Sequence, residues 1–300
     1  MERILNSPRL WPANLRRLTE ILACWRETGQ WLPVTLDYLG LRPVAYPYEL
    51  RLRTGERIVL REHVDVVVFW MVFARQHYAV AASLGVILDI GANIGMFTLY
   101  AARKAPGARI IAMEPFPDTC ERLRQLVEAN HLRDRVTILN CAVTGTAGEK
   151  TMDAAEGIPS QYRRIYSPET ATLNTSHRGP AGAKQDDNGV PVRAETLARV
   201  LDLAGLPVVD MVKMNIHGNE YDVLLGSDPD VLKRCRRIAV QYHEMPAAMG
   251  LGKKQIVERL SQMGFSLVAD DDTHRGSGLA LFATSQLNSG SESLPGKFAA

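Results

Sequence analysis

The sequence predicts an α/β fold built on a mostly parallel sheet that ends in an antiparallel hairpin. Three observations predict it. From Val86 onward, short apolar runs of strand length alternate with amphipathic stretches of helical period. Such alternation places parallel strands in a sheet covered by helices on both faces. The last two apolar runs, Phe265–Ala269 and Leu279–Ala283, are joined by a segment with no helix in it. A parallel pair needs a long crossover, so these two must be antiparallel neighbours.

The elements follow in order. Residues 1–45 read as amphipathic helix in patches, with Trp11, Trp25 and Trp31 as anchors. Tyr48–Leu60 reads as a hairpin, because Glu49-Leu-Arg-Leu-Arg alternates and Thr54-Gly55 supplies the turn. Val64–Ala82 predicts one or two helices; its greasy core, Val66–Ala74, is about half of what a bilayer span needs. Strands are then expected at Val86–Ile90, Arg109–Met113, Val136–Val143, Val208–Ile216 and Arg237–Tyr242, before the final pair. Helices are expected after Gly95, after Asp118 (capping, with Glu121 three places on), over Leu197–Ala204, from Glu220, and over Ile256–Met263. Residues 144–194 break the rhythm: a hairpin at Gly145–Met152, then a polar insertion whose 156–189 portion is expected to be a lid over an acceptor. The chain thus divides into a helical and hairpin extension (1–82), a main domain (83–285) and a frayed tail (286–300).

Composition narrows the function. Of 300 residues, 46% are hydrophobic, enough for a sizeable core, and the net charge is +2, which implies no acidic partner. The four cysteines are far apart and show neither metal-ligand spacing nor a disulfide framework, so a reducing, cytoplasmic setting is expected. No signal peptide, transmembrane segment or basic stripe for nucleic acid is visible. Oligomeric state is not readable.

In such a sheet the ligand sits at the carboxyl ends of the strands, where strand order reverses. The first strand ends in Asp89-Ile-Gly91-Ala-Asn93-Ile-Gly95. Glycines there allow a sharp turn and close approach of backbone to ligand. The spacing is not the G-x-G-x-x-G of a dinucleotide site. An acid at Asp89 would repel a pyrophosphate and would suit a cofactor carrying an amino group and a sulfonium. Glu114 ends the second strand and can accept two ribose hydroxyls. The third strand ends in Asn140-Cys141-Ala142, where Asn140 is placed to bracket an adenine and bond its edge.

With Met113-Glu-Pro115, Asn140-Cys-Ala-Val143 and Val212-Lys-Met-Asn-Ile-His-Gly-Asn-Glu220, the chain from roughly Tyr48 to Ala283 resembles the FkbM family of S-adenosylmethionine-dependent methyltransferases. Arg53-Thr-Gly-Glu and Arg61-Glu-His-Val-Asp65 belong to the same resemblance. It implies a Rossmann-like seven-stranded fold, S-adenosylmethionine as cofactor, and O-methylation of a sugar, glycan or polyketide-type small molecule. Cofactor contacts are then expected from Asp89, Gly91, Asn93, Gly95, Glu114, Asn140 and Ala142. The chain departs from the family where Asn215 and His217 replace two acids, which removes the carboxylates a hard cation would want, so no metal is expected. An alcohol needs a positioned base. His217 is the first candidate, His243 the next, with Glu220 beside them; Lys213 is expected to pair with an acid such as Glu220. The competing readings are an NAD-dependent oxidoreductase and a non-catalytic binding protein that kept the fold.

Overall fold

The computed structural model describes residues 11–152, 165–166, 190–245, 249–274 and 277–284. The chain forms two compact units, one gathering the residues up to Ala79 with Glu128–His131, the other Val80–Val127 with the residues from Leu132 onward.

The first unit holds helices α1 (Trp11–Glu27) and α2 (Trp31–Tyr38), strands β1 (Tyr48–Arg51) and β2 (Arg57–Leu60), and α3 (His63–Phe69), which runs on as a π-helical turn over Trp70–Ala74. The hairpin is as expected: Leu50, Ile58 and Leu60 point inward while Glu49, Arg51 and Arg57 point out, the period of two that a half-buried strand requires. The apolar run is a core helix, with Val66, Phe69, Trp70, Val72 and Phe73 buried, because a helix apolar nearly all round must be enclosed. It stops at Ala74, short of the expected Ala82. Trp70 stacks on Tyr38 with ring centroids 4.2 Å apart. Trp31 is half-buried, but Trp25 is no internal anchor: it is exposed, and the Arg53 guanidinium lies 5.5 Å from its ring centre.

The second unit is organised by a seven-stranded sheet in the order β12-β13-β11-β10-β3-β4-β5. These strands are β3 (Val86–Ile90), β4 (Arg109–Met113), β5 (Val136–Leu139), β10 (Met211–Met214), β11 (Arg237–His243), β12 (Phe265–His274) and β13 (Ser277–Thr284). The first five are parallel; β13 runs antiparallel to both β11 and β12. The predicted hairpin is therefore present, and its second strand is inserted between the first and the parallel body. Helices α4 (Met96–Lys104), α5 (Pro117–Ala129), α6 (Leu197–Leu203), α7 (Glu220–Gly226), α8 (Pro229–Leu232) and α9 (Lys253–Gln262) complete the layers. Strand order reverses at β3, with β4 on one side and β10 on the other, so the tips of these strands form the switch-point crevice.

Several local expectations are corrected. The third strand does not run unbroken to Val143. β5 ends at Leu139, and β6 (Ala142–Val143) joins a separate four-stranded sheet, β6-β9-β7-β8. There β7 (Gly148–Met152) pairs antiparallel with β9 (Val190–Glu195) and β8 (Ile165–Tyr166), so it is not half of a hairpin at Gly145. The stretch 144–194 thus carries β7 near its start and ends in β9. Apart from β8, the proposed lid at 156–189 lies outside the described residues, as does the tail 286–300. Asp118 does not cap α5 from outside. The helix begins at Pro117, whose fixed φ suits the first turn, and Asp118 sits within that turn. The fourth strand is shorter than expected, with Val209 only bridging to Cys235.

Candidate active site at the strand tips

The site is built from two neighbouring clusters in the second unit. The first surrounds the elbow after β3. Gly91 has φ +75°, and a Cβ there would stand 2.2 Å from the Asn215 carbonyl oxygen. Only glycine lets the β3 elbow and the tip of β10 approach this closely. Gly95 serves helix packing instead: at φ +91°, its added Cβ would meet Leu123 and Leu126 of α5 at 2.6 and 2.7 Å. Asn93, also in the left-handed region at φ 51°, donates its backbone N–H to Glu114 Oε2 at 2.9 Å.

Asp89 is fully buried. It accepts from Thr98 Oγ1 at 2.6 Å and from Lys213 Nζ at 2.8 Å. Lys213 also donates to the Gly91 carbonyl at 2.8 Å. The expected pairing of Lys213 with Glu220 is thus corrected. Parallel register places Lys213 directly opposite Asp89, and the two charges neutralise each other inside the sheet. The pair fastens β3, β10 and the elbow together.

Glu114 is 5% exposed. Burial pushes its carboxyl up to about 7, against the pull of backbone N–H donors from Phe116 and Asn93 and of the Lys213 charge; Asp89 pushes it further up. A carboxylate has about four acceptor sites, and the described donors to it are those two N–H groups, at 3.1 and 2.9 Å. Asn140 is exposed and donates to the carbonyls of Glu114 and Pro115 at 2.8 and 2.9 Å, which anchors the β4 tip. Ala142 lies buried in β6, paired with Ala194.

The second cluster lies past β10 and β11. Glu220 is fully buried at the start of α7. Its carboxylate accepts from the Gly218 N–H at 2.6 Å, the His243 N–H at 2.7 Å and His243 Nδ1 at 3.0 Å. Tyr221 donates its hydroxyl to the His243 carbonyl at 2.8 Å. His243 is therefore gripped at backbone and ring. A buried carboxylate facing Nδ1 holds the proton on that nitrogen and leaves Nε2 as the basic one. The His217 ring lies 4.7 Å from the His243 ring, on a backbone in the left-handed region at φ 52°. Asn215 donates to Gln241 Oε1 at 3.0 Å, while its own Oδ1 is buried with no hydrogen-bond partner among the described residues.

Of the residues anticipated from sequence, Asp89, Gly91, Asn93 and Glu114 gather at the elbow, and His217, Glu220 and His243 gather beyond it. Gly95, Asn140 and Ala142 serve packing, anchoring and pairing. Thr98, Tyr221 and Gln241 were not anticipated. The Asp89–Lys213 pair had a signal: each is the last residue but one of its parallel strand, two before Gly91 and Asn215 respectively. Among the described residues no group of three or more His, Cys, Asp or Glu side chains is arranged to hold a metal ion.

Residues 89–267 match the family described as the methyltransferase FkbM domain. The chain is 30% identical over 202 residues to the 31-O-demethyl-FK506 methyltransferase FkbM of Streptomyces tacrolimicus, covering 62% of this chain and 75% of that protein. It is 27% identical over 197 residues to the methyltransferase sdnD of Sordaria araneosa, covering 61% and 74%. A crystal structure of a methyltransferase FkbM from Methylobacillus flagellatus aligns over 90% of this chain and 60% of that one, with 14% identity and a TM-score of 0.44.

Proposed function

This chain belongs to the FkbM methyltransferase family, and from that premise we propose that it is an S-adenosylmethionine-dependent O-methyltransferase. Its acceptor is a hydroxyl on a sugar, a glycolipid or polysaccharide, or a polyketide-type small molecule. The observation that carries the O-methyl reading is the Glu220–His243 pair, a buried carboxylate against Nδ1 of a partly exposed imidazole. The name of the Streptomyces relative, a 31-O-demethyl-FK506 methyltransferase, supports the same chemistry.

The residues at the elbow fit the cofactor. Glu114 keeps acceptor capacity for a pair of ribose hydroxyls, Gly91 leaves no side chain between the β3 and β10 tips, and the unpartnered Asn215 Oδ1 can take an N–H or O–H donor. Asp89 acts through Lys213 and Thr98, holding the elbow in shape. When bound, S-adenosylmethionine supplies a methyl group activated by its sulfonium. The protein's own work is alignment and proton removal. His243 Nε2 takes the proton of the acceptor hydroxyl, and Glu220 stabilises the imidazolium so formed. His217, its ring tilted against that of His243, orients the ring or the acceptor. The elbow lacks the glycine spacing of a dinucleotide site, which disfavours an oxidoreductase. No described helix is long and apolar enough to cross a membrane. The four cysteines are free and buried, and with them we assign the chain to a reducing compartment, the cytoplasm.

The test pairs two variants, assayed with a pool of hydroxylated acceptors and mass detection of a single added methyl. His243→Asn is expected to lower kcat by roughly 10²–10⁴-fold while affinity for S-adenosylhomocysteine is kept. Glu114→Ala is expected to abolish that affinity. Undiminished turnover by His243→Asn removes the base from the proposal. Cofactor binding with no turnover on any acceptor would favour a binding protein that kept the fold.

A further inference from the structure

Helix α1 is built inside out. Its carboxylates face inward: Glu20 and Glu27 are buried, and Glu20 accepts from Trp70 Nε1 at 2.8 Å and from Arg75 Nε at 3.1 Å. Three of its large apolar side chains face outward: Leu18, Leu22 and Trp25 are 58%, 52% and 48% exposed, while Ile21 is half-buried and Cys24 buried. Steps of four and three residues put these on one narrow stripe of the helix. The adjoining α2 adds Leu32, its C-cap adds Leu39, and Leu41 follows, all three exposed. A helix on a globular unit ordinarily turns such a stripe to the core.

The exposed charge from Arg17 to Ala79 is predominantly positive; another exposed carboxylate of the unit, Glu128, lies on the short segment Glu128–His131. Between Arg17 and Ala79, Arg17, Arg26, Arg42, Arg53, Arg57 and Arg61 are exposed. The one exposed carboxylate in that span, Glu49, is paired with Arg51 at 2.6 Å. The other acids are buried or half-buried. Arg53 lies across the Trp25 ring, which puts a cation at the rim of the apolar stripe. A second copy of this chain would set arginines against arginines. A nucleic acid would neutralise them and leave the leucines without an apolar partner. An anionic bilayer surface satisfies both, since arginines meet phosphates while leucine and tryptophan enter the boundary of the acyl region.

We infer that α1 and α2 dock this chain on the surface of an anionic lipid bilayer, lying in its plane with Leu18, Leu22 and Trp25 inserted and the surrounding arginines against lipid phosphates. The inference rests on the first unit alone and is independent of the methyl acceptor.

Flotation of the full chain with vesicles tests it. Vesicles of phosphatidylcholine alone are compared with vesicles that also contain phosphatidylglycerol. Binding is expected only to the anionic vesicles, with a blue shift of tryptophan emission, and should weaken as salt rises above about 0.1 M, where the Debye length is ~10 Å. The Leu18→Ser/Leu22→Ser variant changes exposed positions only, and should lose roughly tenfold or more in partitioning. Arg26→Glu/Arg42→Glu should lose a similar factor. Trp25→Phe should still bind while most of the blue shift disappears. Equal binding to neutral vesicles, no binding to either, or retained binding by the leucine variant overturns the inference. So does a dimer by light scattering that the leucine variant dissociates, which would make a second copy the occupant.

Discussion

Glu114 and Asp89 are both buried carboxylates, one strand apart, yet they solve burial differently. Asp89 has a lysine; Glu114 has two backbone N–H groups and a carboxyl pushed up to about 7 from an ordinary 4.5. Below about pH 4.5 Glu114 is protonated in both folded and unfolded chains. Between 4.5 and 7 only the folded chain keeps the proton, so the stability that this group contributes declines as pH rises and is gone above 7. Urea unfolding of the parent is therefore expected to show this downward slope, and Glu114→Gln should flatten it. An unchanged slope would remove Glu114 as its source. The Asp89–Lys213 pair predicts a different pattern. Lys213→Met leaves a buried charge uncompensated and should cost about 3–5 kcal/mol, whereas Asp89→Asn with Lys213→Met should cost less than the sum of the single changes. A double-mutant cycle of unfolding free energies measures the coupling; additivity would contradict it.

At the scale of the element, the elbow after β3 is the least replaceable piece of backbone. At Gly91 the obstruction is a carbonyl oxygen of β10's tip, which cannot swing aside. At Gly95 it is the far ends of two leucines, which can. Both positions have positive φ, so alanine strains each. Gly91→Ala is expected to give insoluble or unfolded protein, and Gly95→Ala a folded protein with a lowered Tm. Thermal melts and soluble yield distinguish them, and a well-folded Gly91→Ala would mean the β3 and β10 tips do not meet as described. Helix α6 supplies a smaller test. Thr196 caps it by accepting the Arg199 N–H at 3.1 Å, so Thr196→Ala should cost about 1 kcal/mol.

Within the second unit, the sheet ranks its own stability. β3, β4 and β10 lie inside it, flanked on both sides by parallel strands, while β5 and β12 close its edges. Local opening starts where fewest neighbours must be broken. Hydrogen exchange is therefore expected to be slowest in Val86–Ile90, Arg109–Met113 and Met211–Met214, and at least about tenfold faster in Val136–Leu139 and at the outer side of β12. Equal protection across the sheet would contradict this order. The ranking has a functional reading: the elbow, its ion pair and the Glu114 tip of β4 hang from the interior strands, which open last.

The sequence by itself determined the alternation of strand and helix, the glycine elbow between Asp89 and Glu114, the closing antiparallel hairpin and the membership that these motifs suggested. All of these are local: a period of two or 3.6 and a turn residue are written within a dozen positions of each other. Only the tertiary structure decided that Lys213 faces Asp89 and not Glu220, that Glu220 grips His243, and that β13 lies between β11 and β12. It also decided that Val136–Val143 divides between two sheets, and that the stripe of Leu18, Leu22 and Trp25 turns outward. These are choices of partner across long stretches of chain. They depend on register and on which face of each element finds cover, and hydrophobic spacing alone does not say whether a helix's apolar stripe faces the core or the outside.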